Sequence, residues 1–139
     1  MPPREYAALL LRKAAQDEFT VRKLMADPGS PDEIIGFHAQ QAVEKILKAV
    51  LAAREIRYRW THDLVELIDL LRDNGVDFPQ HLEDVRRLWP FAAELRYDEL
   101  PVRVEEPFDR DWAAGCIRRA HEWAKPLIEA GTHNAGGPA

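Results

Sequence analysis

The side chains of this chain best suited to chemistry by type and spacing lie between Phe37 and Lys48. On a helix turning about 100° per residue, Phe37, His38, Gln41, Glu44, Lys45 and Lys48 fall within about 120° of arc, opposite a stripe of Ile35, Ala42, Ile46 and Val50. Two readings stay open. The arc is either a solvated face with Glu44 and Lys48 as a helical i, i+4 pair, or part of a groove or subunit contact. In the second reading the two lysines offer charge-assisted bonds to phosphate oxygens.

Other familiar chemistries are absent from the sequence. Ser30 is the only serine and sits in Pro-Gly-Ser-Pro, with no strand-to-helix elbow around it. The seven glycines are scattered, so no loop is spaced to cradle a phosphate. The histidines at 38, 62, 81, 121 and 133 never pair at i, i+4, and no metal or other cofactor is expected. Cys116 falls on an apolar helical stripe between Trp112 and Ala120, where a buried, inert thiol is expected rather than a nucleophile.

The elements that position these residues are helices throughout. Apolar residues recur at helical period over Tyr6 to Met25, interrupted by Asp17 and Glu18, and Asp27-Pro28-Gly29-Ser30-Pro31 ends that run. Asp32 can cap a second helix to about Arg54. A third starts at Thr61-His62-Asp63, where Asp63 and Glu66 have capping-box spacing, and ends at Asn74-Gly75. A fourth follows Pro79 and must bend or break at Pro90. Arg96 to Pro107 reads as a loop, and a fifth helix opens near Phe108-Asp109, with Asp109 and Asp111 at its start. With no alternating strand, the prediction is an all-α, antiparallel up-and-down bundle of four to five helices over 1–130, followed by a flexible tail over 131–139.

The bulk composition agrees with one globular domain: 139 residues, 46% apolar and 31% charged. A single cysteine, no apolar signal region after Met1 and no membrane-length apolar stretch point to a cytosolic protein without a membrane partner. The net charge of −5 excludes a generic polyanion binder. It is unevenly spread. Lys45 to Arg59 holds five bases against Glu55, whereas Asp98 to Asp111 holds six acids against two arginines.

The run from Phe37 to Ala49, then Thr61-His62-Asp63-Leu64, then Arg96-Tyr97, resembles the HEPN family of small prokaryotic helical proteins. That resemblance implies dimerisation and frequent pairing with a minimal nucleotidyltransferase in a toxin and antitoxin system. HEPN ribonucleases are similar in an arginine followed after four to six residues by a histidine, the two acting across a dimer on phosphate and 2′-hydroxyl. Arg96 stands where that arginine is expected, but residues 101 to 103 are Pro, Val and Arg, so the histidine is missing. Arg57 and His62 satisfy the spacing before the third helix, at a place where the family motif does not belong. His62 is read either as structural, its ring bonded to a backbone or carboxylate group, or as a displaced acid/base acting with Arg96.

The leading expectation is therefore a HEPN-type interaction and nucleotide-associated module without its own catalysis. It would bind a ligand or partner through His38, Gln41, Glu44, Lys45, Lys48, Arg96 and Tyr97. The alternative is a metal-independent endoribonuclease toxin using Arg96 and His62. Expected partners are a second copy of the chain, a nucleotidyltransferase protein, and a nucleotide or RNA. Trp60 and Trp89 are candidates for the two-fold contact, the bland alternative being that all four tryptophans are core. Asp17, interrupting an apolar stripe, is expected to pair with Lys45 or Lys48.

Overall fold

The computed structural model describes residues 1–93 and 108–136. Helix α1 spans Pro3–Met25, α2 Asp32–Ala53, α3 Leu64–Asp73 and α4 Arg110–Gly136, with a 3-10 helix over Gln80–Ala93 between α3 and α4. No strand occurs among the described residues, and the all-α bundle expected from the periodicity is the fold. None of the helices is long and apolar enough to cross a membrane.

Helix α1 starts three residues before Tyr6, because Pro3 in the first turn gives up a donor that no helical carbonyl would have met. Asp63 caps α3 as its spacing predicts, accepting from the Val65 and Glu66 amides. Gly75, with φ 79°, closes α3 by letting its own amide reach the Arg72 carbonyl while that of Val76 reaches Leu71. Helix α2 ends in the same bond pattern, Glu55 to Ala52 and Ile56 to Leu51, but Glu55 occupies the left-handed position at φ 56°. That turn directs the following link, residues 56–63, back along α2.

The fourth helix is a 3-10 helix and not an α-helix, and it passes through Pro90 without ending there. In an α-helix Pro90 would lose a bond and clash with the preceding turn. Helix α4 continues past Gly131, where the sequence reading places the start of the tail.

Helix α2 is the axis of the bundle, packed against α1, α3, α4 and the 3-10 helix. Helix α1 runs antiparallel to it, since Ala7 and Leu10 meet Ala49 and Ala53 while Asp17 meets Lys45 and His38. Helix α4 is antiparallel to α1: Arg110 lies at the end of α1 and Ile128 packs with Ala7 and Leu10. Arg110 pins the α1–α2 turn, donating to Asp32 Oδ1, Asp27 O and Ser30 O at 2.8, 2.9 and 2.7 Å. Surrounded in this way, α2 buries Ile35, Ala39, Val43, Leu47 and Leu51 from all sides.

Cys116 and Asp84 mark the α4 side. Cys116 is buried, and burial, followed by the nearby Asp84 charge, pushes its thiol up to about 12. The folded protein is therefore expected to resist iodoacetamide at pH 8 and to be alkylated at Cys116 only in denaturant, as read by intact mass. Fast modification of the native protein would contradict this packing. Asp84 accepts both Arg119 guanidinium nitrogens at 2.9 Å and the Trp112 indole N–H at 2.8 Å. Those Arg119 bonds hold its carboxyl below the usual range. Because the folded pKa is depressed, the stabilisation is present above the unfolded value, about 4, and is lost as pH falls through the folded one. Asp84→Asn is expected to lower the melting temperature at pH 7 and to narrow the gap to wild type on going to pH 3; a gap independent of pH would contradict it.

Candidate functional site

Helix α2 places its polar side chains against two different neighbours. Toward α1, Asp17 accepts from Lys45 Nζ and faces His38 Nδ1 at 3.0 Å. Its side chain is only 13% exposed, so the expected pairing of Asp17 with Lys45 is what forms. Asp17→Ala, leaving Lys45 and His38 without their shared acceptor, is expected to cost about 1 to 3 kcal/mol in denaturant unfolding. A loss below about half a kcal/mol would mark it as an ordinary surface site.

Toward the link after α2, the network is deeper. Gln40, Glu44 and Lys48 are all buried. Lys48 Nζ donates to Glu44 Oε2 at 3.1 Å and Gln40 Nε2 to Glu44 Oε1 at 3.0 Å. His62 Nδ1 lies 3.0 and 3.1 Å from the two Glu44 oxygens. Gln40 Nε2 also donates to the His62 carbonyl at 3.1 Å, and Gln41 Nε2 donates to Gln40 Oε1 at 2.7 Å. The carboxylate is thus saturated by a cation, an amide and an imidazole, which is the condition for keeping a charge inside a protein.

Aromatic rings close this network. Lys48 Nζ lies 4.5 Å from the Trp60 ring centroid and 5.8 Å from that of Tyr58. Trp60 meets His62 edge to face, with centroids 5.3 Å apart. Burial, followed by a hydrogen bond with Tyr6, drives the Tyr58 phenol upward, so it stays protonated. Trp60 itself is 76% exposed.

Of the residues singled out by type, His38 and Lys45 form one cluster through Asp17. Gln41, Glu44, Lys48 and His62 form the other through Gln40. Arg96 and Tyr97 lie outside the described residues. The Glu44–Lys48 pair has its expected helical spacing but is buried, because the link folds over it. Arg57 and His62 are engaged differently: Arg57 lines an open cavity of about 570 Å³ against α3, while His62 turns to Glu44. Gln40 and Tyr58 were not among the expected residues. Gln40 lies off the polar arc, and its helical i, i+4 spacing to Glu44 is the signal that finds it. Among the described residues no group of histidine, cysteine and carboxylate side chains could hold a metal ion.

The family model of the HEPN domain matches residues 7–128 of the chain, nearly its whole length. The chain belongs to the HEPN family. No curated protein and no solved structure matches it. Within this HEPN domain the matched span runs from the second turn of α1 through both polar clusters and α3 to Ile128 of α4, eight residues before that helix ends. Residues 101 to 103 are Pro, Val and Arg, so no histidine follows Arg96 at the spacing that the resemblance to HEPN ribonucleases leads one to expect.

Proposed function

We propose that this HEPN chain is an interaction and nucleotide-associated module without catalysis of its own, acting as a homodimer beside a minimal nucleotidyltransferase. The observation that carries the reading is the internal commitment of the cations on the polar arc. Lys45 is held by Asp17 and Lys48 is buried on Glu44, so neither is presented to a scissile phosphate. Trp60 and Trp89 are 76% and 45% exposed, whereas Trp112 and Trp123 are half-buried with their indole N–H groups bonded to Asp84 and the Asp77 carbonyl. Exposed indoles of this kind suit contact with a partner.

Co-expression with a minimal nucleotidyltransferase, followed by purification and sedimentation, tests the reading. The expected result is a stable complex, a dimer of this chain at micromolar concentration, and no RNA cleavage. A monomer that neither retains the nucleotidyltransferase nor binds any nucleotide would overturn it.

One observation favours the alternative, a metal-independent endoribonuclease. Glu44 holds His62 by Nδ1, while the ring is 28% exposed and no partner for Nε2 occurs among the described residues. A carboxylate-oriented imidazole with a free nitrogen can act as acid or base. RNA cleavage that survives chelation and disappears in His62→Ala would establish it.

A further inference from the structure

We propose that the outer face of α1 docks through Phe19 into the open cavity between the link and α3 of a second copy of this chain. The proposal rests on the homodimer in the reading above and gives it a place in the fold.

The first observation is what α1 presents outward. Arg12, Ala15, Phe19, Arg22 and Lys23 are all exposed and share about 100° of arc, opposite the buried Ala7, Leu10, Ala14 and Val21. Phe19 is 62% exposed, whereas the other four phenylalanines are buried or half-buried. Lys23 Nζ lies 5.3 Å from the Phe19 ring centroid, which sets the ring among cations. Arg12 and Lys23 have no carboxylate within ion-pair distance among the described residues, and Arg22 meets Glu18 only at 3.7 Å. An aromatic side chain ringed by charge has the make-up of an interface anchor and its rim.

The second observation is a cavity of complementary character. The space of about 570 Å³ beside α3 takes its apolar lining from Tyr58, Val65 and Leu70, and four carboxylates against two arginines make it acidic. Asp63 is engaged in capping α3 and Glu66 in holding Arg59. Asp69 and Asp73, one helical turn apart, are both exposed. Asp69 meets Arg86 only at 3.7 Å, and Asp73 has no base within ion-pair distance among the described residues. An apolar recess with two available carboxylates thus matches a phenyl ring with available cations around it.

The occupant follows from placement and charge. Within one chain α1 and α3 do not touch, so the Phe19 face and this cavity can meet only between copies. Packing α1 on the α1 of a second copy would bring Arg12, Arg22 and Lys23 against like charges. Nor does the face suit a polynucleotide, because Arg12 and Lys23 stand eleven residues, about 16 Å, apart along the helix, far wider than phosphate spacing. In a two-fold dimer the contact is made twice, each copy giving its α1 face and its cavity.

Sedimentation of the full chain and of two variants tests the contact. Phe19→Ala with Lys23→Glu removes the anchor, and Asp69→Lys with Asp73→Lys reverses the cavity. All four positions are exposed, so the fold is retained, as circular dichroism checks. Each variant alone is expected to self-associate at least about tenfold more weakly than wild type. Mixed one to one, the two are expected to form a dimer holding one copy of each, since the first keeps an intact cavity and the second an intact Phe19 face. A wild-type dimer that both variants preserve at equal affinity overturns the contact and leaves the homodimer reading standing. So does a mixture that stays monomeric when each variant alone is monomeric, because the two surfaces then do not pair. A monomeric wild type at micromolar concentration overturns both the contact and the homodimer.

Discussion

Glu44→Ala is expected to destabilise the protein by about 3 to 5 kcal/mol, because it strands a buried ammonium. Lys48 is 3% exposed, its Nζ has Glu44 as its ion-pair partner, and the Trp60 and Tyr58 rings cannot replace a carboxylate. The same change frees His62 Nδ1 and one Gln40 amide bond. Glu44→Gln keeps the shape and an acceptor oxygen but not the charge, and is expected to cost less than the alanine change. Removing both charges together, as Glu44→Leu with Lys48→Met, should recover most of the loss, since a well-packed apolar pair of similar volume needs no desolvation. Denaturant unfolding of the two singles and the double measures this directly. If Glu44→Ala costs less than about 1 kcal/mol, water reaches Lys48 and the network is not the buried unit described here.

The sequence makes the helices legible because each reports its own period: apolar residues at helical spacing, Asp63 as cap and Asn74-Gly75 as stop depend only on neighbours a few residues away. The second face of α2 is not legible in that way. Glu44 and Lys48 look like a solvated i, i+4 pair until the link carrying Tyr58, Trp60 and His62 folds over them, and nothing local in α2 says which distant segment covers it. Asp17 is the opposite case. A carboxylate interrupting an apolar stripe demands a cation, the helical spacing of α2 offers Lys45 or Lys48, and Lys45 takes it. Residues 80–93 mislead because 3-10 and α-helices share an apolar spacing near three to four residues, and only the two prolines at 79 and 90 hint at the tighter turn. As for function, the resemblance to the HEPN family rests on short motifs along α2, at Thr61 to Leu64 and at Arg96-Tyr97. The structure adds that the first two meet in one place, through Gln40, Glu44 and His62, while the third lies outside the described residues.

Gly36→Ala is expected to destabilise by about 1 to 3 kcal/mol, against the sign that helix propensity alone would give. In an unencumbered helix the exchange favours alanine by about 1 kcal/mol. Gly36 lies in the second turn of α2, buried beneath Phe91, and a Cβ built there falls 2.5 to 2.8 Å from three carbons of that ring. Side-chain carbons do not approach that closely, so the ring must move. Phe91 is only 6% exposed and meets Phe108 edge to face, with centroids 5.3 Å apart, so movement disturbs the contact that ties the 3-10 helix to the start of α4. The clash therefore outweighs the propensity gain. Phe91→Leu offers an internal check, because a smaller, more adaptable side chain should tolerate the new methyl: the double variant Gly36→Ala with Phe91→Leu is expected to cost less than the sum of its singles. Strict additivity would mean that the two residues do not touch in solution. A Gly36→Ala protein more stable than wild type would show that Phe91 swings aside freely and that the close approach of α2 to the 3-10 helix does not fix this end of the bundle.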